Sequence, residues 1–316
     1  MTAPAIVLCP GQGAQAVGMG KAWYDASADA RQIFDQADQA MGLRLGMPLS
    51  KLCFEGPAEK LNRTDVSQPA IFVASLASWK AILAARSMGN GEQPLAAAAG
   101  LSLGEYSALV VAGAMSLETG LELVSLRGRA MQEAAESDYA ASGGGGGMIA
   151  LVGATDEQAE EIAAKARGAH VLVTANFNAP GQVVLSGHKA AVADAAKVAE
   201  GMGIRSQILA VAGAFHSPLM QPAADKLAAA LDRAEIRAPR CPVVSNVTAK
   251  PHENDPATIR RRLVEQLTSP VRWAASCRWL AGNASGDYLE LCPGRTLMGL
   301  MRRIDKEIKV ATHDTP

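Results

Sequence analysis

The sequence predicts an α/β protein: a large α/β domain carrying an inserted ferredoxin-like (βαββαβ) subdomain. Three observations predict it. Short apolar runs break into Gly- or Pro-bearing loops and lead into helical patterns, as in "AIVLCPGQG", "PLAAAAG" and "YLELCPG". Five consecutive glycines, Gly143 to Gly147, separate two textures of sequence and read as a flexible joint. Beyond them, strand and helix patterns follow in the order βαββαβ over roughly seventy residues. The expected boundaries are 1–138 and 213–316 for the discontinuous large domain, and 139–212 for the small subdomain.

Taken in order, residues 5–9 read as a short buried strand ending in a Pro-Gly loop. "VGMGKAWYDASADARQIFDQADQAMG" follows with helical spacing of Trp23, Ile33, Phe34 and Ala37. "SQPAIFVASLASWKAILAAR" reads as a second helix with Pro69 in its first turn. Its apolar residues are too dense for a one-sided surface helix, so burial is expected. "PLAAAAG" reads as an inner strand by context, since alanine is a poor strand former. A third helix, 116–136, starts at Ser116, a good N-cap. After the glycines come strand "MIALVGA", helix "DEQAEEIAAKARG", strands "VLVTANFNAPG" and "QVVLSG", helix "HKAAVADAAKVAEGMG" and strand "RSQILAVAG". The large-domain texture then returns: a helix over 219–233, a strand at "CPVVSNV", a helix at "DPATIRRRLVEQLTS" and one over 271–280. Last are a strand at "YLELCPG" and a helix at "RTLMGLMRRID", before a tail, "THDTP", expected to fray.

Composition narrows the function classes. In 316 residues, 49% are hydrophobic and 19% charged, which suits a folded chain and not a disordered one. The formal net charge of -1 gives no footprint for nucleic acid or an anionic membrane. Apolar runs such as 108–115 are too short to cross a bilayer. The N-terminus lacks a basic segment followed by an apolar one, so no secretory signal is read. Five cysteines (Cys9, Cys53, Cys241, Cys277, Cys292) are spread without CxxC spacing, so reduced thiols and a cytoplasmic location are expected. No His/Cys pairs have metal-ligand spacing, and neither metal nor cofactor is expected. A monomer is the expected state.

Four features could carry chemistry. Gly100-Leu101-Ser102-Leu103-Gly104 matches G-x-S-x-G, in which glycines two residues either side let a strand and a helix approach around a strained serine. A nucleophile at a helix N-terminus and an ordinary N-capping serine both fit that pattern. Of five histidines, His216 in "VAGAFHSPLM" is best placed as a base, in a loop between a strand and a Pro-initiated helix. His252 falls in the polar loop "KPHEND", and His188 at a helix start. Arg127 falls on the apolar stripe Leu117, Leu121, Val124 and Met131. A guanidinium there needs either a protein carboxylate or the carboxylate of a ligand, which its planar fork suits. "PGQGAQAVGMG" fits neither G-x-G-x-x-G nor a P-loop, so dinucleotide binding is excluded. It suits a turn aiming backbone or Gln12 at the sheet's C-terminal edge.

Seven segments in order resemble the malonyl-CoA:acyl carrier protein transacylase family: "PGQGAQ", "GLSLGEYSAL", "LRGRAMQ", "NAPGQVVLSG", "AFHSPLM", "QLTSPVRW" and "ELCPGRTLMGLMRRI". The resemblance implies a hydrolase-like α/β domain with a parallel central sheet. It implies Ser102 as nucleophile, His216 as base, and Gln266 orienting His216 through its backbone carbonyl. It further implies an oxyanion hole from the N–H groups of Gln12 and Leu103, Arg127 on the malonyl carboxylate, and Phe215 in malonyl selectivity. The implied partners are malonyl-CoA and phosphopantetheinylated acyl carrier protein. Three positions depart from the family pattern: Leu101 stands where histidine is usual, Gly213 opens the motif before Phe215, and Cys292 opens "CPG" where "GPG" is usual. An esterase or thioesterase of α/β-hydrolase type is the rival reading, but that class expects an acidic triad member and has no use for a buried Arg127.

Overall fold

The computed structural model describes residues 3–87, 94–142 and 144–316. The first part of the chain forms β1 (Ala5–Cys9), α1 (Lys21–Ala26), α2 (Ala28–Met41), α3 (Leu49–Glu55), α4 (Ala58–Leu61), α5 (Thr64–Ser87), β2 (Leu95–Gly100), α6 (Gly104–Val111) and α7 (Leu117–Ser142). The middle forms β3 (Gly146–Val152), α8 (Asp156–Ala166), β4 (Leu172–Ala179), β5 (Gln182–His188), α9 (Lys189–Gly201) and β6 (Arg205–Ile208). The last part forms α10 (Gln221–Leu231), β7 (Val243–Val244), α11 (Pro256–Glu265), α12 (Trp273–Asn283), β8 (Asp287–Leu291), α13 (Thr296–Ile304) and β9 (Val310–His313).

Two sheets result. One is parallel, in the order β7-β2-β1-β8-β9. Its central strand β1 is buried at every residue, as a parallel strand covered on both faces must be. The other is antiparallel, in the order β4-β5-β3-β6, the ferredoxin-like arrangement. It has its own core, with Ile149, Leu151 and Leu185 packed against Ile162 of α8 and Val192 of α9. Between the sheets, the Phe177 N–H donates to Val271 O at 2.9 Å and the Val271 N–H to Ala175 O at 2.8 Å. That pair ties β4, at the edge of the small sheet, to the segment that leads into α12.

Several expectations shift by a physical reason. The first long helix is two, because Ser27 leaves helical geometry and caps α2 by accepting the Ala30 N–H. α5 starts at Thr64, so Pro69 lies inside it and not in the first turn. By length and composition α5 could cross a bilayer, yet 78% of its apolar window is buried within the protein, against α2 and α7. Ser116 does cap α7, accepting the Thr119 N–H at 3.1 Å. The glycine run is not simply a joint: Gly146 and Gly147 belong to β3 and pair with His188 and Gly187, while Gly143 lies outside the described residues. β6 and β7 are shorter than their apolar runs suggested. The tail does not fray at His313, which ends β9 beside β8 and whose carbonyl accepts the Trp23 indole N–H at 2.9 Å.

The corner between β2 and α6 is the tightest packing around the site. A Cβ on Gly104 would stand 2.1 Å from the Cys9 carbonyl oxygen, and one on Gly100 1.9 Å from Gly104 backbone. Gly104→Ala is expected to cost on the order of 3 kcal/mol, at the upper end for overpacking, because the obstacle is backbone. Urea denaturation measures it; an unchanged midpoint would contradict the crowding.

Candidate active site

Ser102 sits at that corner with φ 53°, in the left-handed region that a non-glycine residue rarely adopts. Its backbone is held from both sides. The Ser102 N–H donates to Asn246 Oδ1 at 2.6 Å. Its carbonyl accepts from Gln266 Nε2 at 3.0 Å and from the Glu105 N–H at 3.1 Å.

His216 also has a left-handed backbone, φ 57°, and is buried. Its Nε2 lies 2.8 Å from Ser102 Oγ and its Nδ1 2.8 Å from the Gln266 carbonyl oxygen. A carbonyl can only accept, so Nδ1 carries the proton and Nε2 is free to take one from the serine. Burial, then the nearby Arg127 charge, push the His216 pKa down from 6.5 to about 4, against the opposing hydrogen bond to Gln266.

Arg127 projects from α7 into the same cluster and is 1% exposed. Nη1 donates to Gln68 Oε1 at 2.8 Å; Nη2 donates to Ser102 Oγ and Gln266 Oε1, both at 3.0 Å. All these acceptors are neutral, and among the described residues no carboxylate lies within ion-pair distance of Arg127. The Tyr106 ring lies beside the guanidinium, its centroid 5.6 Å from Arg127 Cζ, and the Tyr106 hydroxyl is a further neutral neighbour of this charge. Of the two readings of this arginine, the structural salt bridge has no partner here.

Ser102 and His216 open onto a cavity of about 550 Å³ between the two sheets. Gln12, Leu101 and Phe215 line it from the large domain; Met148, Asn176 and Asn178 line it from the small one. Leu103 follows Ser102 at the start of α6, and among the described residues no backbone carbonyl takes the N–H of Gln12 or Leu103. Arg127 lies behind Ser102 and is not part of the cavity wall.

Four polar residues of this cluster escaped the sequence reading: Gln68, Glu105, Asn246 and His252. All are buried. Glu105 Oε1 is 2.7 Å from His252 Nε2, and Glu105 Oε2 accepts from Gln266 Nε2 at 2.7 Å and from the Asn246 N–H at 3.0 Å. His252 is therefore not a solvated loop residue; the Val244–Pro251 bridge folds its loop back against β7. The one available signal was Glu105, a carboxylate inside the otherwise apolar run after Gly104.

The acyl transferase domain family model matches residues 6–311. A malonyl CoA-acyl carrier protein transacylase of Salmonella typhimurium is 39% identical over 308 residues, 97% of this chain and 94% of that protein. The chain belongs to the malonyl-CoA:acyl carrier protein transacylase family. The Bacillus subtilis enzyme of the same name is 38% identical over 98% of this chain and 93% of its own. A solved transacylase of this family from Xanthomonas oryzae superposes with a TM-score of 0.90 at 40% identity, over 100% of this chain and 96% of that one. A malonyl-transacylase solved in complex with a type II polyketide acyl-carrier protein gives 0.89 at 37% identity, over 99% and 96%.

The departures from the family pattern have local accounts. Leu101 lines the cavity beside Ser102. A Cβ at Gly213 would meet Ala135 Cβ at 2.5 Å, so a larger residue needs α7 to move. Cys292 is buried and clamped through its backbone, its N–H donating to Ser78 Oγ at 3.2 Å and its carbonyl accepting from Ser75 Oγ at 2.6 Å.

His216 serves as a base only while neutral. With its pKa lowered, the rate of Ser102 acylation should hold through pH 6.5 and fall only as pH drops toward about 4. Single-turnover acylation across that range checks this; half-loss at 6.5 would contradict it.

Proposed function

We propose that the chain transfers the malonyl group of malonyl-CoA to the phosphopantetheine thiol of acyl carrier protein, through a malonyl ester on Ser102. The observation that carries this reading is a buried arginine with only neutral acceptors, bonded to a serine that is itself bonded to a neutral histidine. The serine supplies acyl chemistry, and the arginine supplies the place for an acyl group that ends in a carboxylate.

In the first half-reaction His216 Nε2 takes the Ser102 proton as Oγ attacks the thioester carbonyl. The C–S bond then breaks, and His216 returns the proton to the leaving thiolate of coenzyme A. The second half runs in reverse sense: His216 deprotonates the carrier thiol, its sulfur attacks the ester, and Ser102 leaves with the proton. Gln266 holds the imidazole through its carbonyl, which orients it without adding a buried negative charge. The N–H groups of Gln12 and Leu103 are assigned to the oxyanion of each tetrahedral intermediate, where loss of one donor typically costs roughly 3 kcal/mol. Phe215 is assigned as a side wall for the short malonyl unit. A thioesterase of α/β-hydrolase type is disfavoured because His216 Nδ1 meets a carbonyl and not a carboxylate.

We further read residues 139–212 as a subdomain that walls the cavity, and 1–138 with 213–316 as the catalytic domain. A monomeric, cytoplasmic enzyme is the accompanying proposal; five buried cysteines without disulfides support the compartment.

Intact-protein mass spectrometry after mixing with malonyl-CoA tests the function. A malonyl adduct on Ser102, transferable to a carrier thiol and absent in Ser102→Ala, is expected. Free malonate without an adduct would instead indicate hydrolysis.

A further inference from the structure

Glu105 has no part in the steps above, yet it bonds the two residues whose side chains hold the Ser102 backbone. Its side chain is fully buried on α6, one turn beyond the nucleophile corner. A single oxygen, Oε2, accepts from both Gln266 Nε2 and the Asn246 N–H. Gln266 and Asn246 are the residues that hold the strained backbone of Ser102, one on its carbonyl and the other on its N–H. Asn246 also donates from Nδ2 to the Gly100 carbonyl at 2.7 Å, so it spans the corner.

Gln266 has two further duties. Its backbone carbonyl accepts from His216, and its side-chain oxygen accepts from Arg127. The amide can serve them only in one orientation. The partners of Nε2 (Glu105 Oε2, Ser102 O and, at 3.4 Å, Asn246 Oδ1) are all acceptors, and the partner of Oε1 is a pure donor. Without Glu105 the amide keeps one strong partner on its nitrogen side, and Asn246 loses the acceptor of its own N–H.

We propose that Glu105 is a positioning residue that sets the nucleophile, the base and the guanidinium together, through the reach of its Oε2 to Gln266 and Asn246. His252 is the third partner: it holds Oε1 from the far side and fixes the carboxylate plane. The proposal rests on the reading of Ser102 as nucleophile and His216 as base.

Two conservative variants separate reach from charge. Glu105→Asp keeps the charge and shortens the side chain. Glu105→Gln keeps the reach and removes the charge. In Glu105→Gln the amide oxygen can still accept both donors, and the amide nitrogen can donate to His252 Nε2 once that ring carries its proton on Nδ1, an atom without a partner in the wild type. Ser102 loading is followed by rapid quench with malonyl-CoA, and by labelling with a fluorophosphonate probe, which needs the Ser–His couple but no carboxylate clamp. Thermal midpoints are recorded alongside, and rates are taken per folded molecule.

Glu105→Asp is expected to slow both reactions about thirtyfold or more, with half-saturation by malonyl-CoA within about threefold of wild type. Glu105→Gln is expected to stay within about fivefold of wild type in both. A fast Asp variant with a slow Gln variant would overturn the proposal in favour of charge. Two variants with wild-type rates per folded molecule, whatever their midpoints, would reduce Glu105 to a structural residue. Two variants that are both slow would remove the reach argument. Failure of the wild-type protein to label at Ser102 would overturn the nucleophile reading and this proposal with it, whereas the variant outcomes bear on Glu105 alone.

Discussion

A buried guanidinium with no carboxylate in ion-pair contact is the constraint around which the site is built. Burying an unpaired charge is costly, and Arg127 meets only amide and hydroxyl oxygens. Burial lowers its pKa, with nearby Tyr106 and Glu105 opposing the shift. Each neutral acceptor comes from a different element: Gln68 from α5, Ser102 from the β2–α6 corner, Gln266 from the end of α11. α7 can bring the arginine to them because the next residue is glycine; a Cβ at Gly128 would lie 2.7 Å from the Thr64 carbonyl at the start of α5. The long, apolar, buried α5 is thus one wall of the charge pocket. The structure thus supports a cation at the nucleophile on neutral acceptors, with the Glu105 carboxylate nearby but not in contact.

The second constraint is strain. Ser102 and His216 both hold left-handed backbones, each worth roughly 1–3 kcal/mol. Asn246 and Gln266 side chains bond the Ser102 backbone, and Gln266 also holds the imidazole through its carbonyl and the guanidinium through Oε1. Geometry and electrostatics are therefore coupled: Gln266 cannot move without releasing the serine carbonyl, the histidine Nδ1 and the arginine Nη2 together. The small sheet closes the cavity from above, joined to the large domain by main-chain bonds at Val271 that tolerate many side chains.

What the sequence revealed follows the range of the forces involved. The G-x-S-x-G corner was legible because its sterics are local, and Arg127 because a charge on an apolar stripe contradicts its own helix. The ferredoxin-like order was legible from alternating strand and helix patterns. Glu105, Asn246 and His252 were not, because their burial depends on a loop from beyond β7 folding over α6, a contact 147 residues apart in the Glu105–His252 pair. The tail is hidden for the same reason: "THDTP" is polar, and the edge of β8, the indole of Trp23 and the Gly294 N–H on Asp314 order it. Ser27 could have been recognised as a break, since an N-cap signature was present, but the apolar spacing ran through it and carried the reading.

The central claim is that Arg127 selects an acyl group bearing a carboxylate. Its most direct test compares malonyl and acetyl loading of Ser102 in wild type and in Arg127→Ala, taken as the ratio of the two rates so that any general disturbance of Ser102 cancels. Truncating one partner of a buried charge pair costs about 2–5 kcal/mol, so the malonyl-to-acetyl ratio should fall by about a hundredfold. An unchanged ratio, with both rates falling together, would make Arg127 a structural residue and contradict the account.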